Sequence, residues 1–142
     1  MRLKKWEMDN RTVFDVNIWI SYFLKGKFTE LVDLMANHDV EFFRAKELTH
    51  ELISVISRDK FKKYLHLPLQ SYISFYEKIS TFLTIQNEFS SCRDPKDNYL
   101  FDLAFQSHSK YLVSGDRDVR ETVIDRPLNV VSLRTFKEMI SE

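Results

Sequence analysis

Arg11-Thr12-Val13-Phe14-Asp15-Val16-Asn17-Ile18-Trp19-Ile20-Ser21 changes its apolar period partway through, and that change decides the fold class. Arg11 to Asp15 reads as a short buried strand. From Asn17 to about Leu24 the apolar residues return at helical spacing. Asp15 stands at the junction. Outward from this unit the alternation repeats. Phe28 to Asn37 predicts a second amphipathic helix, with Gly26 punctuating the two. Val40 to Phe43 predicts a strand, and Ala45 to Ser57 a helix with Leu48, Leu52, Val55 and Ile56 on one face. Asp59 to Leu65 predicts a further short helix, and Pro68 to Thr81 a long one, with Phe82 to Ile85 either its end or a short edge strand. Pro95 to Ser107 is helical in pattern, Tyr111 to Val113 a strand, Asp118 to Ile124 a short helix, Asn129 to Val131 a strand and Thr135 to Ile140 a closing helix. Strands alternating with helices imply an α/β fold with a mainly parallel sheet of four to five strands.

With glycine only at positions 26 and 115 and proline only at 68, 95 and 127, no flexible linker divides the 142 residues, so a single domain over 1–142 is expected. Lysine plus arginine equal aspartate plus glutamate at 21 each, which excludes a globally basic nucleic-acid binder and leaves only a local polyanion site. Lys25, Lys27, Arg58, Lys60, Lys62 and Lys63 are the candidates for such a site, against the commoner alternative of a solvated face. A lone cysteine, Cys92, excludes an intrachain disulfide and a cysteine-based zinc site. Met1 to Asn10 is polar, without a secretory pattern, and no stretch has the about 20 apolar residues that span a bilayer, so a cytoplasmic protein with no membrane role is expected. His38, His50, His66 and His108 lie in separate segments without ligand-pair spacing. No Gly-x-Ser-x-Gly elbow or phosphate loop is present.

The acids carry the functional reading. Asp15 and Asp116 each follow a predicted strand, and in open α/β sheets the carboxyl ends of strands are where ligands bind. Each taken alone is equally an N-cap. Asp97 lies in Asp94-Pro95-Lys96-Asp97-Asn98, which is also a good helix start. Glu51 shares a face with Leu48 and Val55, beside the buried stripe, where an uncompensated charge is costly. Glu47, one turn earlier, is its alternative. Asp118 is close enough to Asp116 to reach a second ion, and Asp102, about 140° round the helix from Asp97, is expected to be solvated.

In the order Asp15, Glu51, Asp97, Asp116, the chain resembles the PIN (PilT amino-terminal) domain family over almost its whole length. The motifs are Val13-Phe14-Asp15-Val16-Asn17-Ile18-Trp19-Ile20-Ser21, Glu47-Leu48-Thr49-His50-Glu51-Leu52, Asp94-Pro95-Lys96-Asp97-Asn98 and Leu112-Val113-Ser114-Gly115-Asp116-Arg117-Asp118-Val119. It is most similar to bacterial PIN proteins that act as toxins of toxin-antitoxin pairs. The resemblance implies a three-layer α/β/α sandwich, ribonuclease activity, and a metal site to which Asp15, Glu51, Asp97 and Asp116 correspond by position, with Asp118 an occasional extra ligand and Asn17 and Ser21 polar positions nearby. The family commonly has Thr between the first Asp and the Asn; here it is Val16, so that hydroxyl is missing.

Two carboxylates about 5 Å apart repel by roughly 3 kcal/mol at an effective dielectric of 20, so four converging acids call for a cation. An all-oxygen set suits Mg²⁺ or Mn²⁺; zinc would want His or Cys. The expected roles are metal binding by Asp15, Asp97 and Asp116, and orientation or deprotonation of the attacking water by Glu51. Expected partners are RNA, a small antitoxin protein and a second copy of the chain in a homo-oligomer. Trp19, Tyr22 and Phe23 either fill the core, the commoner fate, or form a docking patch. A PIN nuclease for RNA processing or for DNA, and a non-catalytic PIN-like module, are the alternative readings.

Overall fold

The computed structural model describes residues 9–141. Met1 to Met8 and Glu142, and with them most of the amino-terminal stretch read above for a secretory signal, lie outside the described residues. Five strands, β1 (Asn10–Phe14), β2 (Val40–Arg44), β3 (Ser80–Phe82), β4 (Tyr111–Val113) and β5 (Asn129–Val131), form one sheet in the order β3-β2-β1-β4-β5. Every pairing is parallel, with Thr12 opposite both Phe42 and Tyr111. The chain runs outward from β1 through β2 to β3 and then returns to β4 on the other side. The switch in direction therefore falls between β1 and β4, and at such a switch a crevice opens at the strand carboxyl ends.

Helices cover both faces. α1 (Val16–Leu24) follows β1, α2 (Phe28–His38) precedes β2, α3 (Lys46–Ile56) follows it, and α4 (Leu69–Ile79) leads into β3. α5 (Asn98–Gln106) leads into β4, α6 (Arg117–Arg120) is a single turn, and α7 (Leu133–Ile140) closes the described chain. Strand residues alternate faces. On the face carrying Phe14 and Phe42, Trp19 of α1 lies 5.5 and 5.1 Å from those rings, and Phe136 of α7 lies 5.6 Å from Phe14. On the opposite face Arg11 reaches the end of α5, where its Nε donates to the Ser107 carbonyl at 2.7 Å, while its guanidinium covers Phe43 at 4.4 Å. The fold is the expected three-layer α/β/α sandwich.

Trp19, Tyr22 and Phe23 are buried, so they are core residues and offer no docking patch. No helix among the described residues is long and apolar enough to cross a membrane. The long helix expected from Pro68 stops at Ile79, and the edge-strand alternative holds, shifted to Ser80–Phe82. Its end is set from outside. Arg44 of β2 donates to the carbonyls of Glu77, at 2.8 Å, and Ser80, satisfying groups that the helix leaves unpaired. The helix expected over Asp118 to Ile124 is only Arg117–Arg120. Val119 is fully buried, but Val123, one turn on, is 83% exposed, so a second turn would have no apolar contact to hold it.

Asp102 corrects another expectation: it is 3% exposed rather than solvated. Asn98, Asp102 and Gln106 fall at successive four-residue steps on α5, and the extended segment 86–92 is hung along them. Asn98 Oδ1 accepts from Cys92 N–H at 3.0 Å. Asp102 Oδ1 accepts from Glu88 and Phe89 at 3.2 and 2.9 Å, and Gln106 exchanges two hydrogen bonds with Gln86. Phe89 anchors the segment on the Phe101 ring at 4.5 Å. The solvent expected around Asp102 is replaced by the chain's own loop. Asp102→Ala is therefore expected to destabilise the protein by about 2–4 kcal/mol, because two amides lose a charged acceptor. A urea midpoint equal to that of the wild type would show that the ladder does not hold the segment.

Candidate active site

Asp15 follows β1 directly. Its backbone is extended (φ −60°, ψ 155°), its N–H closes on the Val113 carbonyl of β4 at 2.9 Å, and its Oδ1 caps α1 through Val16 N–H at 2.6 Å. The capping reading of Asp15 is thus correct, and it is not exclusive. Oδ2 accepts from the Ser114 hydroxyl at 2.7 Å, and Ser114 Oγ in turn accepts from Asp116 N–H at 3.0 Å. A fully buried serine just past β4 therefore joins the first acid to the fourth. Sequence reasoning gave Ser114 no role, because nothing local distinguishes it from any small residue in a turn.

Asp116 is exposed, and its carboxylate caps α6 through Asp118 N–H at 2.8 Å. Asp97 ends the 3₁₀ turn Pro95–Asp97, which Asp94 caps through Lys96 N–H at 3.0 Å. Glu51, half-buried on α3, accepts a short hydrogen bond from the Tyr99 hydroxyl. Tyr99, also without a role in the sequence reading, is raised above the ordinary phenol range by burial first and by Glu51 second, so it stays a proton donor. Two residues past Asp97, it ties the third acid's helix to the second acid's.

Asp15 and Asp97 both feel the other acids. Asp97 is pushed up to about 7, by burial first and then by Asp15, Asp94, Asp116 and Glu51. Asp15 is raised by burial, against the hydrogen bonds from Ser114 and Val16, with Glu51 and Asp116 adding to the rise. Beyond burial, the contributions that raise both come from neighbouring acids. Asp15, Glu51, Asp97 and Asp116, from four separate segments, thus lie within electrostatic range of one another.

The other candidates are placed differently. Asp118 is turned to Arg93, with an ion pair at 3.0 Å. Glu47 lines a neighbouring cavity. Asn17 is exposed on the first turn of α1, and Ser21, one turn on, lines a small cleft with Lys25, Lys27 and Lys137. Lys62 pairs with Asp59 at 2.9 Å, while Lys60 and Lys63 lie over the rings of Phe61 and Tyr64. That is the pattern of a solvated face. A cleft of about 820 Å³ beside Lys110 and Asn129, at the amino ends of β4 and β5, contains none of the four acids.

Among the described residues, no three His, Cys, Asp or Glu side chains already stand as a closed ligand set. Two ranges are involved here. Charges act on one another across several ångströms, whereas ligands must converge within about 2.0–2.2 Å of one Mg²⁺ or Mn²⁺ ion. Asp15 spends both carboxylate oxygens on protein donors, and Glu51 and Asp116 spend one each, so an ion at this place would share these oxygens with the protein's own donors. The donor set fits such an ion, because it is acidic and all oxygen.

An uncharacterized protein of Methanocaldococcus jannaschii is 23% identical to this chain in a match covering 93% of this chain and 90% of that one. The family described as PIN domain matches residues 11–118, a span that includes all four acids and both strands of the switch. Its members are generally nucleases and usually use divalent metals. With its parallel sheet, its acids at the β1/β4 crevice and this match over most of its length, the chain belongs to the PIN domain family.

Proposed function

We propose that the chain is a Mg²⁺- or Mn²⁺-dependent endoribonuclease that hydrolyses RNA phosphodiester bonds in the cytoplasm, as the toxin of a toxin-antitoxin pair. The observation that carries the reading is a group of four acids from separate segments, one of which, Asp97, is pushed up to about 7 by burial and by its acidic neighbours. Such a group raises the energy of the empty fold and is relieved by an external divalent ion.

Asp15, Asp97 and Asp116 are the residues to hold the ion. Ser114 keeps Asp15 from turning away, and the same serine positions Asp116 through its backbone. Glu51, oriented by Tyr99, takes the proton of the attacking water or aligns that water for attack. When bound, the ion lowers the pKa of a coordinated water and neutralises charge on the phosphate oxygens. Asn17 and Ser21, on one face of α1 leading away from Asp15, are the polar contacts for the RNA chain. The toxin role rests on the family likeness. It predicts that induced expression arrests growth, and that a small protein encoded beside the chain relieves the arrest.

Two measurements test the catalytic reading. In one, Mn²⁺ at 100 times its Kd should stabilise the protein by about 2.7 kcal/mol, a rise of roughly 8 °C in Tm for a domain of this size. In the other, a labelled single-stranded RNA should be cut with Mn²⁺ and left whole in EDTA. Neither stabilisation nor cleavage would leave a PIN-like binding module in place of the enzyme.

A further inference from the structure

Beside the acids lies a cavity of about 400 Å³ whose lining includes Glu47, Asn87, Phe89, Lys96, Asn98 and Tyr99. Its position follows from the fold. Tyr99 joins it to the catalytic group through Glu51, Glu47 lies one helical turn from Glu51 on α3, and Asn87 and Phe89 come from the segment hung on α5. Its chemistry differs from that of the acid crevice, for it has two aromatic walls, two amides, one ammonium at its rim and two carboxylates, Glu47 and Asp102, of which Asp102 is buried and already accepts from the Glu88 and Phe89 amides. Glu47 is half-buried on this lining, and neither the metal site nor the core accounts for it.

Resting on the ribonuclease reading, we propose that this cavity is a base-recognition subsite that takes an unstacked guanine of single-stranded RNA next to the scissile phosphate. Single-stranded RNA is read by aromatic side chains that stack on its bases and by polar groups that bond their edges, and Phe89 and Tyr99 supply the stacking surfaces. The Glu47 carboxylate selects the base. Guanine presents N1–H and N2–H₂ side by side, two donors that one carboxylate accepts together. Adenine and cytosine place a ring-nitrogen acceptor beside their amino donor, which would face Glu47 lone pair to lone pair. Uracil flanks its single N–H with two carbonyls. Guanine O6, next to N1–H, requires a donor, and the Asn98 amide has one to give, since its Oδ1 is already engaged by Cys92 N–H. Lys96 at the rim supplies positive charge for a flanking phosphate.

The subsite is tested by binding, separately from cleavage. Fluorescence-labelled tetranucleotides that differ at one position among guanine, adenine, cytosine and uracil are titrated against the full chain in EDTA, as wild type and as Glu47→Gln. The wild type is expected to bind the guanine-containing RNA about tenfold more tightly than its adenine counterpart, as a bidentate contact would. Glu47→Gln should bring the two within about twofold, because its amide donates where the carboxylate accepted. Equal wild-type affinities overturn the proposal, and so does a guanine preference that survives in Glu47→Gln. Glu47-dependent preference without cleavage would remove the nuclease reading and leave the subsite. Cleavage without that preference would do the reverse.

Discussion

Asp15→Asn is expected to lower Mn²⁺-dependent RNA cleavage by about 10³-fold while the protein stays folded. A ligand carboxylate contributes several kcal/mol through the ion it holds, and each 1.36 kcal/mol is a tenfold change in rate. The substitution is nearly isosteric. Asn Oδ1 can keep the bond from Val16 N–H, and its amide can donate to Ser114 Oγ, which now donates to Asp15. The Ser114 proton then loses its acceptor, a cost on the order of 1 kcal/mol. Removing a buried charge, whose desolvation is the largest cause of the raised Asp15 titration, offsets that cost. The variant should therefore melt within a few degrees of the metal-free wild type, and Mn²⁺ should no longer raise its Tm as it does that of the wild type. Equal cleavage by the two proteins would end the metal-nuclease reading.

Asp97→Asn should also abolish most cleavage, and it carries a second signature in the pH dependence of stability. In the folded protein Asp97 titrates at about 7, raised by burial and then by its acidic neighbours, whereas in the unfolded chain it titrates near its ordinary value of 3.8. Between those values the folded state binds a proton that the unfolded state has released. Stability of the metal-free protein therefore falls as pH rises from about 4 to about 7, and stays lower above that. Asp15, raised in the same direction, adds to the slope. The variant removes the Asp97 contribution. At pH 8 it should be more stable than the wild type, and at pH 4 the difference should vanish. Since Asp97 is only partly buried, solvent screening reduces the effect to about 1 kcal/mol, roughly 3 °C in Tm. Saturating Mn²⁺ should flatten the wild-type slope, because the bound ion displaces the proton. A variant less stable than the wild type at pH 8 would show that Asp97 is not strained by its neighbours.

The site was legible to the extent that its residues sit at ends of elements. Asp15, Asp97 and Asp116 were readable because each follows a strand or opens a helix, and those positions are marked by local period and capping chemistry. Glu51 was readable from its place beside a buried stripe. Choosing Glu51 over Glu47 was not, since both lie near the same face of α3 and only the helix's placement sends one to the acids and the other to the next cavity. Ser114 and Tyr99 left no local signal. Their roles are hydrogen bonds across 99 and 48 residues of sequence, and such partners exist only once the chain is folded.

By itself the sequence determined the α/β class and the order of elements, because apolar period and turn residues act over a few neighbours and are fixed by the local chain. Only the tertiary structure decided where α4 ends, through Arg44; that Asp102 is buried, beneath the segment it binds; and that Asp118 faces Arg93 instead of the acids. In each case the deciding partner is distant along the chain. A helix wheel gives the direction in which a side chain projects, and only the packed fold supplies what it meets there.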